Sequence, residues 1–236
     1  MKVYIVSQGK GGVGKTTIAT MLASYLLLKN KVIQVIDTDG VNQTLSAFKA
    51  LNVKEKNILS DDYQTSDLTK IDDFFSDLLE DQEADKTVII DIGASSFLPI
   101  RSHIFQNEIY KMIDITFVIP ICGGTSEDSS MLGISDTLKD FENGVNYLIV
   151  QNERDGKLKF KNSKLEKQLQ SLEKNYIGDV TLEKISGILA TDFEIVNKNK
   201  IIFQQIEKCK DLKILNRKRL EIFFKKFFAQ LQNIGV

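Results

Sequence analysis

The sequence predicts a doubly wound, mainly parallel α/β sheet with helices on both faces. Three observations carry this expectation. Short β-branched apolar runs alternate with helix-length amphipathic segments from end to end, the pattern of parallel strands joined by right-handed crossovers. A glycine-rich loop separates the first run from the first amphipathic segment. The second and third runs lead into aspartates, at the strand ends where such a sheet presents its ligand crevice.

In chain order, residues 3–6 read as a buried strand and residues 16–29 as the helix after it. The most apolar part of that helix, residues 18–28, carries Thr20, Ser24 and Tyr25 and is shorter than the roughly 20 residues needed to cross a bilayer. Strand 32–36, helix 68–79, strand 88–92 and helix 100–112 follow. Then come strand 115–121, helix 126–141, strand 145–150, helix 163–172, strand 185–189 and helices 192–206 and 213–231. Several helices open on Ser, Thr or Asp, whose side chains cap free N–H groups. Residues 151–161, rich in charge and containing Gly156, read as the longest loop. No repeat or low-complexity linker divides the chain, so one domain spanning 1–236 is expected.

Composition narrows the field. With 236 residues, 42% of them hydrophobic and 14 Phe, the chain can bury a core that offsets its conformational entropy, which excludes disorder as the main state. Only Pro99 and Pro120 occur, so Pro-rich readings fall away. The start runs straight into Gly and Lys without a signal-type apolar stretch, and a cytoplasmic protein is expected. Cys122 and Cys209 are too isolated for a disulfide framework, a zinc site or a cluster. His103, the single histidine, has no partner at ligand spacing and reads as a helix-face residue. The net charge of −1 hides a division: residues 1–150 carry −8 and residues 151–236 carry +7. A basic C-terminal third raises the question of nucleic acid or an anionic membrane surface.

The first loop reads Gly9-Lys10-Gly11-Gly12-Val13-Gly14-Lys15-Thr16, followed by Thr17. This is G-x-x-x-x-G-K-[ST] between a strand and a helix, the setting in which the motif binds phosphate. Gly9, Gly11, Gly12, Val13 and Gly14 let the backbone curl with its N–H groups inward, and the helix N-terminus adds its positive dipole end. Lys15 is the candidate for reaching the β- and γ-phosphates, and Thr16 for giving its hydroxyl to Mg²⁺. Asp91, closing an apolar run, is the candidate for holding Mg²⁺ from a second layer. Of Asp37-Thr38-Asp39, Asp39 is the candidate for orienting or partly deprotonating the attacking water and Asp37 for supporting Mg²⁺ through water; helix-cap or turn roles compete for both. Asn152 pairs with a purine edge or merely caps a turn. Asn152 and Asp155 also echo a guanine-binding N-K-x-D, but Glu153 replaces its lysine, which favours ATP over GTP.

Lys10 within Lys10-Gly11-Gly12-Val13-Gly14-Lys15-Thr16-Thr17 resembles the deviant signature of ParA/MinD-type P-loop ATPases. That resemblance implies an ATP-dependent homodimer in which Lys10 of one copy reaches phosphates held by the other, with the electrostatic logic of an arginine finger. The segments at Ser7–Lys15, at Ile36–Thr44 continuing to Lys49–Val53, and at Asp91–Pro99 are similar to the TraL-type conjugative-transfer subgroup. Gly40 stands where the resemblance would put Pro, releasing a backbone restraint. The subgroup implies plasmid conjugative transfer or DNA partition, with a conjugation or secretion-system protein as partner. A non-hydrolysing adaptor that tethers DNA or such a protein is the alternative, and a small-molecule phosphotransferase a third reading. Lys208, Lys210, Lys213, Arg217, Lys218 and Arg219 are candidates for contacting DNA phosphates without reading sequence. Leu220, Phe223, Phe224, Phe227 and Leu231 form one apolar stripe, expected to dock on the core rather than on a membrane.

Overall fold

The computed structural model describes residues 1–39, 44–62, 65–81, 85–124, 130–131, 134, 138, 141, 144–161 and 163–236. Seven parallel strands form one sheet in the order β3-β2-β4-β1-β5-β6-β7. They are β1 (Lys2–Val6), β2 (Ile33–Asp37), β3 (Lys54–Glu55), β4 (Thr87–Asp91), β5 (Asp114–Cys122), β6 (Asn146–Asn152) and β7 (Tyr176–Leu182). The helices whose bounds lie among the described residues are α1 (Lys15–Leu28), α2 (Leu68–Glu80), α3 (Phe97–Gln106), α4 (Lys164–Gln170), α5 (Ile188–Asn199) and α6 (Ile214–Asn233). From β1 the chain first winds toward β2 and β3, then returns and winds outward through β5 to β7. The carboxyl end of β1 therefore lies where the winding reverses, which is where such sheets bind ligands.

Side-chain alternation splits the core in two. Tyr4 and Val6 of β1, Ile89 of β4, Val118 of β5 and Leu148 and Val150 of β6 pack beneath α1, α5 and α6. Val3, Ile5, Val88, Ile90, Phe117 and Ile149 point the other way, beneath α2, α3 and α4. Both faces of the central strands are thus covered, which is why those strands read as unbroken apolar runs. The α6 stripe, Phe228 included, lies in the first of these cores, and Phe228 packs on Tyr25 of α1 at 5.6 Å between ring centres. The stripe docks on the core, as its apolar spacing leads one to expect. Among the described residues no helix is long and apolar enough to cross a membrane.

Caps set several boundaries. Asp67 accepts from the N–H groups of Thr69 (2.9 Å) and Lys70 (3.3 Å) at the start of α2, and Ser163 accepts from Glu166 at the start of α4. Other boundaries depart from expectation. No strand occupies 185–189; the seventh strand is β7, an edge strand covered on fewer sides, so its apolar residues are interrupted by Gly178, Asp179 and Thr181. β3, two exposed polar residues, has no apolar signal at all. α3 starts three residues early because Pro99 fits a first helical turn, and it ends at Gln106 before Glu108 turns left-handed. α5 runs 188–199, not 192–206, ending where Lys200 adopts φ 49°. Helix 126–141 lies largely outside the described residues; Ser130, Met131, Ile134, Leu138 and Phe141 within it are helical.

Candidate functional site

The loop between β1 and α1 curls through two left-handed residues, Gly12 (φ 72°) and Gly14 (φ 90°). These are positions where an L side chain is strained. Gly14 leaves no room either: a Cβ there would lie 2.6 Å from Asn152 Nδ2. Its carbonyl accepts the N–H of Ile18, starting α1 directly behind the loop. Lys15 folds back so that Nζ donates to the carbonyls of Gln8 and Lys10, both at 3.3 Å. Burial lowers the Lys15 pKa, while the charges of Asp91 and Asp39 oppose that shift.

Thr16 Oγ1 donates to Asp91 Oδ2 at 2.7 Å. Asp91 ends β4 and stands in register with Asp37, which ends the neighbouring β2. Asp37 Oδ1 accepts the N–H of Asp39 at 3.0 Å. The other oxygens of this pair, Asp91 Oδ1 and Asp37 Oδ2, are buried and have no hydrogen-bond partner among the described residues. Burial pushes Asp91 up to about 7, with the neighbouring charges of Asp37 and Asp39 adding to the shift and Thr16 and Lys15 opposing it. Burial raises Asp37 as well, against hydrogen bonds from the backbone of Asp39, Ser46 and Leu45. Two adjacent buried carboxylates, each with an orphaned oxygen beside a threonine hydroxyl, are a donor set that fits Mg²⁺ and its waters.

Gly11, Gly12, Gly14, Lys15, Thr16, Thr17 and Asp39 line one open cavity of about 570 Å³, together with Thr44, Ala94 and Ser95. Asp39 sits against Gly93, where a Cβ would come 3.3 Å from its Cγ. Of the other loop residues, Gly9 packs against the ring of Phe97 and Val13 is buried. Lys10 lies close enough to Asp155 for its charge to help the Arg154 hydrogen bond hold that carboxyl below the ordinary range. Gly40 is outside the described residues.

Asn152 belongs beneath the loop. Its Nδ2 donates to Val13 O at 3.0 Å and its Oδ1 accepts the N–H of Arg154 at 3.1 Å, so both ends of the carboxamide are engaged by main chain. The turn-capping reading describes this geometry and the purine-edge reading does not. Sequence reasoning missed Arg154, whose partner lies 142 residues away, and gave no site role to Thr44, Ala94 and Ser95, which it reached only within the segments similar to the TraL-type subgroup. It also missed a neighbouring cleft of about 240 Å³ that shares Thr16, Thr17 and Thr44 with the cavity and is walled by Met21, Phe48 and Phe193.

Two of the six basic candidates for DNA are structural. Arg217 donates to the carbonyl of Cys209 at 2.8 Å, and Arg219 grips the buried Asp192 at 2.7 and 3.0 Å. Lys218 pairs with Glu221 at 3.3 Å, while Lys208, Lys210 and Lys213 are exposed. His103 lies between α2 and α3, with Nε2 3.3 Å from Asp72 and its ring stacked on Phe75.

Comparison with known proteins agrees with this architecture. Over 244 residues the chain is 28% identical to Protein TraL of Escherichia coli, covering 100% of this chain and 99% of that one. The cell division ATPase MinD of Pyrococcus furiosus has the same fold at 15% identity, with a TM-score of 0.57 and 99% of both chains covered. The septum site-determining protein MinD of Pyrococcus horikoshii, complexed with Mg-ADP, aligns at a TM-score of 0.56 and 13% identity, covering 99% of this chain and 96% of that one. The model of the CobQ/CobB/MinD/ParA nucleotide binding domain matches residues 4–225, and the chain belongs to that family.

Proposed function

We propose that this chain is a Mg²⁺-dependent ATPase that works as a slow dimerisation switch in plasmid conjugative transfer or DNA partition. The observation that carries the reading is the pair of orphaned carboxylate oxygens, Asp91 Oδ1 and Asp37 Oδ2, beside Thr16 at the edge of a glycine-lined cavity. Loop N–H groups and the start of α1 would receive the phosphates. Lys15, now held by two carbonyls, would exchange them for phosphate oxygens, gaining a charged partner for a neutral one. Thr16 would hold Mg²⁺ directly, and Asp91 and Asp37 through its waters. The ion would neutralise charge on the terminal phosphates. Asp39, on the cavity wall, would orient the attacking water. Lys10 of a second copy would meet the same phosphates, so closure of two copies and hydrolysis would be coupled.

Phosphate release with Mg²⁺-ATP tests the hydrolase part and separates it from a non-hydrolysing adaptor. Light scattering of Asp39→Ala with and without saturating ATP tests the switch: a dimer in ATP alone is expected. A monomer in both conditions defeats it.

A further inference from the structure

A phosphate cradle needs its N–H groups turned inward, and in a planar trans peptide that turns each carbonyl outward, where it requires a partner of its own. The peptide between Gly12 and Val13 has little restraint on its amino side, because Gly12 is left-handed and lacks a Cβ to resist a flip. Its outward carbonyl, Gly12 O, accepts a hydrogen bond from Arg154 Nη1. The next, Val13 O, accepts from Asn152 Nδ2 at 3.0 Å and faces Cys122 Sγ at 3.7 Å. Arg154 is in turn held on its other side, Nε donating to Asp155 Oδ1 at 2.9 Å and Nη2 to Oδ2 at 2.6 Å. This two-pronged grip fixes the plane of the guanidinium and leaves Nη1 directed at Gly12.

We infer that Arg154, braced by Asp155, is a positioning residue that keeps the Gly12–Val13 peptide turned with its N–H toward the phosphates. The inference rests on the nucleotide reading above and adds to it a part the loop motif does not contain. Pulling on the carbonyl with a cation also polarises the peptide, strengthening the Val13 N–H as a donor. The side chain is 53% exposed, so its place is at the loop rather than in the core.

The test is titration of the full chain with fluorescent ATP and ADP analogues in Mg²⁺, alongside melting of the nucleotide-free protein. Arg154→Ala should weaken both nucleotides by about tenfold or more, the worth of a charge-assisted hydrogen bond. Arg154→Lys should fare no better, because an ammonium keeps the charge but cannot grip Asp155 and Gly12 together. Asp155→Ala should weaken binding in the same direction, by less. The melting temperature of the nucleotide-free variants should stay within about 2 °C of the parent, as for other exposed positions. Full rescue by Lys, or parent-like affinity in Arg154→Ala, overturns the positioning role while the nucleotide reading stands. A melting temperature that falls in step with affinity also overturns it. A parent protein that binds neither nucleotide removes both.

Discussion

Replacing Gly14 by Ala separates the backbone demands of the loop from its contact with ligand. At φ 90° an alanine carries left-handed strain of about 1–2 kcal/mol. Its Cβ would also fall 2.6 Å from Asn152 Nδ2, so the carboxamide must move and surrender its bond to Val13 O, a further loss of about 1 kcal/mol. Together these give about 2–3 kcal/mol, which for a chain of this size lowers the melting temperature by roughly 5–10 °C. Gly11→Ala is the matched control. Among the described residues nothing lies within 4 Å of a Cβ placed there, and its φ is not positive, so the unfolded chain alone feels the change and stability should hold or rise slightly. Both glycines line the cavity, so both variants should bind nucleotide less well. Thermal melts of the nucleotide-free proteins decide the matter: equal melting temperatures for the two variants would refute the account of Gly14.

Arg219→Ala leaves Asp192, which is 0% exposed, with Asn216 alone among the described residues, and should melt below a Lys218→Ala control at neutral pH. The Arg219 hydrogen bond holds the Asp192 carboxyl below its ordinary range, so this stabilisation is present above about pH 4 and is lost as pH falls further; melts from pH 7 to 3 should show the gap closing in acid. Thr16→Ala should bring ATP affinity in Mg²⁺ down to the level of the parent in EDTA, measured by the same titration. Lys10→Ala should keep nucleotide binding by the single copy but elute as a monomer with ATP on size exclusion. Changing Lys208, Lys210 and Lys213 together to Glu should weaken salt-sensitive DNA retention in gel shifts without a loss of melting temperature, whereas Arg217→Ala should lower melting temperature because it holds the Cys209 carbonyl.

What the sequence made legible follows from how local each feature is. The phosphate loop is contiguous, because one short stretch of backbone supplies its N–H groups, and so Gly9 to Thr17 could be read in one glance. β1, β4 and β5 announced themselves because both their faces are buried. Asp37 and Asp91 were found because each sits at the end of such a strand. β7 was misplaced because edge strands need less apolar surface, and the isoleucines at 185 and 188 mark the approach to a helix instead. Arg154, Asn152 and Asp192 act through partners far away in the chain. Their residue types are common in solvated turns, and nothing within a few positions separates the two situations.

The alignment of Asp37 with Asp91 on adjoining strands has a consequence for how this chain tolerates change. The backbones that carry the two carboxylates are held at the spacing of hydrogen-bonded strands, about 4.8 Å, rather than by a loop. A one-residue slide of β2 along β4 would swing one carboxylate to the opposite side of the sheet. Insertions into the connection after β2 leave that alignment intact, whereas a single insertion inside either strand dismantles it. Metal-dependent nucleotide affinity thus doubles as a readout of whether the middle of the sheet has zipped up correctly.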